Sequence, residues 1–231
     1  MENAKLSNET LIVQLPFWGF YETVHIEQLD RAMEQDAENF ASGESDLYPE
    51  AIGMDESDLC EIMGRMSDRT KAYESYSRKY VSAFDGFVKQ ETGIDLRLTF
   101  DRVESPRFYN FDTDRIFAQI PLEVVEALRA AVTLGNLAEV IKERHESRSG
   151  FCSFYTTDIE EWVKKPVSKW DHNELETLLI AWMRQEIKAD ADEAINDDVI
   201  SYDPEFGAEA WQDSVNWNEF EAKCAEKKAG K

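Results

Sequence analysis

Forty-eight aspartates and glutamates stand against twenty-five lysines and arginines in a chain of 231 residues, and the excess is unevenly placed. Residues 1–70 carry a net charge of −12 and residues 186–221 carry −11, while residues 71–185 hold −3 and the last ten hold +3. Like charges held close together raise the free energy of a compact state, so a fold made from this chain has to turn both acidic blocks outward. The blocks are written in that way. In the first, Glu27, Asp30, Glu34 and Glu38 fall on the outer side of a helix whose inner side repeats Ile26, Leu29, Met33, Ala37 and Phe40 at steps of three and four. Glu44, Asp46, Glu50, Asp55, Glu56, Asp58 and Glu61 follow, interleaved with Leu47, Tyr48, Ile52, Met54 and Leu59. In the second block Asp190, Asp192, Glu193, Asp197, Asp198, Asp203, Glu205, Glu209 and Asp213 alternate with Ile195, Val199, Ile200, Tyr202, Phe206, Trp211 and Trp217. Solvated acidic tails lack this apolar interleaving, and 42% hydrophobic residues supply enough material for a core.

The remaining elements follow from local pattern. Leu11–Leu15 and Phe17–Tyr21, β-branched and aromatic and broken by Pro16 and Gly19, read as one strand or two short ones. Asp55 or Ser57 caps a second helix through Leu59 and Met66, and a third runs from Asp68 to Thr92 with Gly93 as its stop. Residues 96–103 alternate apolar and polar positions and residues 108–120 resume a strand-like pattern, which predicts a small antiparallel sheet. Helices are expected from Pro121 to Val132, from Asn136 to Arg148 and from Asp171 through Ile187, with a short strand over Phe151–Tyr155. The fold class is therefore α+β, helix-rich, with a small antiparallel sheet and acidic helical faces. The charge counts suggest an α+β domain over 1–185, an acidic aromatic segment over 186–221 packed on it, and a flexible basic tail over 222–231.

Composition excludes several classes of function. A strongly negative field repels phosphate backbones and anionic membranes, so direct binding to nucleic acid or membrane is not expected and the natural partners are cationic. No secretory signal and no run of 18 apolar residues is present, which predicts a cytoplasmic protein. Cys60, Cys152 and Cys224 are far apart, as are His25, His145 and His172, so neither a disulfide framework nor a metal site is legible. An EF-hand starting at Asp190 fails at Ile195, where glycine is needed, and at Ser201, where glutamate is needed. Phosphate-binding glycine loops, nucleophile elbows and HExxH are absent, so no enzyme, cofactor or metal is expected.

The most distinctive local string is SPRFYNFDTDRIF, residues 105–117, which sets Arg107, Asn110, Asp112, Asp114 and Arg115 among aromatic rings. Asp101, Asp112 and Asp114 would be the ligands of a metal-dependent enzyme acting on nucleotides; the plainer reading is a turn whose Asp and Asn bond the backbone. This string resembles a segment of uncharacterised proteins carried by bacteriophages and other mobile elements. In charge and size, without a shared motif, the chain is also similar to acidic antirestriction and anti-CRISPR proteins. That resemblance implies counter-defence by imitation of nucleic acid.

Duplex DNA carries about one negative charge per ~1.7 Å of axis, so carboxylates spaced on a folded frame suit a groove built for DNA. The expected function is occupation of the nucleic-acid-binding surface of a basic host nuclease, restriction or CRISPR complex. The carboxylates above would supply the charge, and Tyr48, Tyr202, Trp211 and Trp217 the anchors. A homodimer would double the charged surface, though nothing in the sequence demands one. An adaptor that binds another protein through its aromatic residues, and an acidic surface that serves only solubility, are the other readings.

Overall fold

The computed structural model describes residues 9–16, 24–102, 116–148, 161–187 and 204–230, without the side chains of 24–27, 144–148 and 204. Among the described residues eleven elements carry the fold: β1 (Thr10–Gln14), α1 (Val24–Ser42), α2 (Glu56–Met66), α3 (Arg69–Thr92), β2 (Thr99–Phe100), β3 (Phe117–Pro121), α4 (Leu122–Ala131), α5 (Leu134–Arg148), α6 (His172–Glu186), α7 (Pro204–Ser214) and α8 (Trp217–Ala229). The protein is helix-rich with a small three-stranded antiparallel sheet, an α+β fold. Its chain divides into two compact units of interleaved stretches: 1–19, 81–106 and 115–201 in one, 20–80, 107–114 and 202–231 in the other. This division does not follow the boundary near residue 186 that the charge counts suggest, because packing between chain-distant segments sets it.

In the first unit β3 lies between β1 and β2, with Thr10 opposite Pro121, Gln14 opposite Phe117 and Thr99 opposite Gln119. Ala118 and Ile120 of β3 are buried, as the pleat requires for one core-facing side. Helix α6 packs against β1, α4 and α5. Its start is fixed by a capping box: Asp171 accepts from the Asn173 and Glu174 amides, and Glu174 accepts from the Asp171 amide at 2.8 Å. From Leu175 to Met183 every residue is buried. The strand expected over 96–103 shrinks to Thr99–Phe100, although Leu96 and Leu98 are buried and Arg97 exposed as alternation demands. Arg97 adopts φ 54°, a left-handed conformation that breaks an extended ladder. Of the pattern over 108–120 the described part is 116–120, of which Phe117–Ile120 is in a strand; Phe17–Tyr21, Phe151–Tyr155 and residues 103–115 lie outside the described residues.

In the second unit α1 buries Leu29, Ala32, Ala37 and Phe40, and packs along α7 and α2. The approach of α1 to α7 depends on Gly207, where an added Cβ would stand 3.0 Å from both the Cβ and the backbone oxygen of Gln28. Asp55 caps α2 by accepting from the Ser57 and Asp58 amides, as the sequence suggests. The turn between α2 and α3 is tied to the turn between α7 and α8 by a β-bridge, Ser67 to Val215: the Asp68 amide donates to the Ser214 carbonyl at 2.8 Å and the Asn216 amide to the Met66 carbonyl at 3.0 Å. Residues 222–229, expected to form a flexible tail, are instead the last turns of α8. Asn216 caps that helix, Phe220 and Cys224 are fully buried one turn apart, and Lys227 pairs with Asp58 at 2.5 Å.

Candidate partner-binding surface

Residues 27–61 of the first acidic block and 204–221 of the second belong to the same unit, brought together by the packing of α1 along α7. Residues 24–80 and 204–230 contain twenty carboxylates against nine lysines and arginines, a net charge of −11. The described residues of the other unit contain fifteen against eleven. Over the full sequence the two units carry −13 and −10, so the acidic excess is shared between them.

Not every carboxylate in the acidic unit is available to a partner. Asp30 faces Arg69 at 3.8 Å, Asp58 pairs with Lys227, Glu61 with Arg65 and Glu209 with Lys79. Asp55 is occupied as a helix cap, and Asp213 accepts from the Ser75 hydroxyl at 2.8 Å. Glu205 is exposed at the start of α7. Of the carboxylates expected from the sequence to bind a partner, what remains is a shorter set, Glu34, Glu38, Glu44, Asp46, Glu50 and Glu56, running from the outer face of α1 through the following turn to the first residue of α2. None of these six has an ion pair among the described residues. Glu34, Glu38, Glu44, Asp46 and Glu56 are exposed, and Glu50 is half-buried with its Oε2 unbonded. The side chain of Glu27, all of Asp190, Asp192, Glu193, Asp197, Asp198, Tyr202 and Asp203, and the 105–115 part of the central string lie outside the described residues.

The aromatic anchors separate clearly. Trp211 is 1% exposed and serves the core, because Gly207, Ala210, Trp211 and Ser214 form the buried stripe of α7. Tyr48 and Trp217 are half-buried and stack on one another, centroids 5.0 Å apart and planes 20° apart. Beneath them the buried rings of Phe40 and Phe220 meet both edge-on, at 5.0 to 5.9 Å, and the Trp217 Nε1 donates to the Gln212 carbonyl at 2.9 Å. The pair is therefore fixed in orientation by its own base. Glu221, which the sequence reading passed over, lies close enough to Tyr48 that burial, Glu221 and Asp36 together raise the phenol above its usual range and keep it protonated. Only tertiary structure joins residues 48 and 221. Trp217 also lines a groove of about 550 Å³ together with Arg65, Lys71, Asn216 and Asn218.

Asp36 links the two acidic helices from within. Its carboxyl bonds the Gln212 side chain, its Oδ2 is buried without a partner, and desolvation raises its pKa to about 6. A carboxyl whose pKa is higher folded than unfolded favours the folded state at low pH. That contribution is complete below about 4 and is lost as pH rises to about 6. Asp36→Asn is accordingly expected to stabilise the protein at pH 7 by about 1 to 2 kcal/mol, allowing for partial solvent screening. Denaturant titrations of both proteins across this range should show the difference vanish near pH 4; a constant difference would contradict the burial of a charged Asp36.

Burial of Cys60 and its neighbours Glu34 and Glu56 raise that thiol, and burial pushes the Cys224 thiol up to about 11, so neither is a thiolate nucleophile at neutral pH. Among the described residues no group of three or more His, Cys, Asp or Glu is placed to hold a metal ion, and no helix is long and apolar enough to cross a membrane. Comparison of the chain with protein-family models, with curated proteins and with solved structures gives no match, so the surface itself carries the functional argument.

Proposed function

We propose that this chain is a counter-defence protein of a phage or mobile element, which mimics nucleic acid and occupies the DNA- or RNA-binding surface of a host nuclease, restriction or CRISPR complex. One observation carries the reading: residues 27–61 of the first acidic block and 204–213 of the second, more than a hundred residues apart in the chain, fold into one unit, where Glu34, Glu38, Glu44, Asp46, Glu50 and Glu56 have no ion pair among the described residues. Repulsion among such charges costs stability, and a cationic partner repays it. Electrostatic attraction would steer encounter, and the fixed Tyr48–Trp217 pair would add short-range contact after it. No catalytic step is needed for inhibition of this kind; access to the groove is blocked by charge and bulk.

The test is capture from bacterial lysate on the immobilised protein at about 50 mM salt, with elution by a salt gradient. The expected result is retention of a basic nucleic-acid-binding protein that leaves well before about 500 mM salt. Retention that is indifferent to salt would contradict the electrostatic mechanism and favour an adaptor that binds through apolar contact.

A further inference from the structure

We propose that the Tyr48–Trp217 ring pair, together with the exposed Leu47 and Ile52 on either side of the Tyr48–Ala51 turn, is the docking point for an arginine carried on an apolar-flanked basic segment of the partner. This rests on the reading of the acidic unit as a partner surface and narrows it to one chemistry. Leu47 is 73% exposed and Ile52 43%, the two large apolar side chains left most open in this unit among the described residues. Ile52 lies over Gly43: a Cβ added there would stand in ordinary van der Waals contact with the Ile52 side chain, at 3.6 Å. Solvent-facing leucine and isoleucine in the same turn as a half-buried tyrosine are the kind of residues that interfaces bury at their centre.

The surroundings select what covers it. Glu44 and Asp46 precede the patch, Glu50 lies between Tyr48 and Ile52, and Glu221 neighbours the Tyr48 phenol; none of the four has an ion pair among the described residues. An apolar partner surface alone would leave these carboxylates desolvated and unpaired. A segment combining cations with apolar residues satisfies both halves. Between the two cations, the ring pair discriminates: a guanidinium is planar, sheds water readily, stacks on aromatic faces and still presents a fork of N–H donors to a carboxylate, whereas an ammonium does only the last as a point charge. The buried Phe40 and Phe220 beneath hold the rings still, so little conformational freedom is lost when the guanidinium settles.

The experiment uses two fluorescent peptides of equal charge, Leu-Arg-Arg and Leu-Lys-Lys each repeated three times, titrated against the full chain at low salt by anisotropy. The arginine peptide should bind at least about fivefold more tightly than the lysine peptide. Trp217→Leu should bring the ratio to about one. Leu47→Ala, at a position too exposed to disturb folding, should weaken both peptides about threefold while keeping their ratio. Equal affinity for the two peptides, a ratio that survives Trp217→Leu, or indifference to Leu47→Ala would each overturn the docking point. If Trp217→Leu does not fold, the Leu47→Ala result and the wild-type ratio still decide. Equal, salt-sensitive binding of both peptides would leave the acidic-surface reading standing; no binding of either would remove both.

Discussion

Neutralising Glu34, Glu38, Glu44 and Asp46 together, as Gln, Gln, Gln and Asn, is expected to weaken binding to a captured cationic partner by about 100-fold at low salt. The magnitude follows from roughly 0.7 kcal/mol for each exposed charge facing an opposite potential, or about 3 kcal/mol for four. All four are exposed and none has a counter-ion among the described residues, so the change breaks no ion pair; the long bond that Glu38 accepts from the Gln35 amide, at 3.5 Å, can be kept by the glutamine oxygen. The variant should be at least as stable as the parent, because it removes like charges such as Glu34 and Glu38, four residues apart on one face of α1. It should also depend less steeply on salt. The control is Asp58→Asn with Glu61→Gln, which removes charges already offset by Lys227 and Arg65; it should alter binding several-fold less. Calorimetric titration of the three proteins against the same partner separates the outcomes. Equal losses in the two variants would mean that total charge, and not the unpaired set, governs binding.

Trp211→Ala is expected to cost about 3 to 5 kcal/mol of stability, the range for removing a large buried aromatic side chain. The ring is 1% exposed, so nearly all of its surface leaves water on folding and a cavity follows its loss. Packing of α1 against α7, which joins the two acidic stretches, would loosen with it. Thermal melting followed by near-ultraviolet circular dichroism should drop by roughly 10 °C. Truncating the half-buried Trp217 should cost considerably less stability and more binding. If Trp211→Ala instead left the melting temperature in place and abolished partner binding, its assignment to the core would be wrong.

These two residues also show what was legible in the sequence and what was not. Both tryptophans sit among carboxylates and read alike as anchors. Their difference lies in helical phase: Gly207, Ala210, Trp211 and Ser214 keep a step of three and four that places Trp211 inside, and attention to that period would have found it. Local signals were read well. The caps at Asp55 and Asp171, the apolar stripe of α1 and the stop at Gly93, with φ 76°, all depend on residues within a turn or two of each other. Asn216, Glu219, Phe220 and Cys224 offered an equally local helix signal, obscured by their place near the chain end and among lysines.

The candidate surface was legible in outline only. That residues 27–61 and 204–213 are folded, with most of their carboxylates exposed, followed from their apolar interleaving. Which carboxylates stay free did not, because Lys79 reaches Glu209 across 130 residues and Lys227 reaches Asp58 across more. Such pairings have no period and no spacing rule; they exist once α1, α2, α3, α7 and α8 are packed. The same holds for Glu221 beside Tyr48. Charge counting finds the block, and only tertiary structure subtracts the charges that the fold has already used.

The central claim is that the acidic unit takes the place of nucleic acid. It is tested most directly by a competition titration, in which labelled duplex DNA is bound to the captured partner at about 50 mM salt and this protein is added. Mimicry predicts that DNA leaves as the protein binds, that excess DNA reverses the exchange, and that the protein's affinity falls at least tenfold by about 500 mM salt. A stable complex holding partner, DNA and this protein together, or an affinity unchanged across that range of salt, would contradict it.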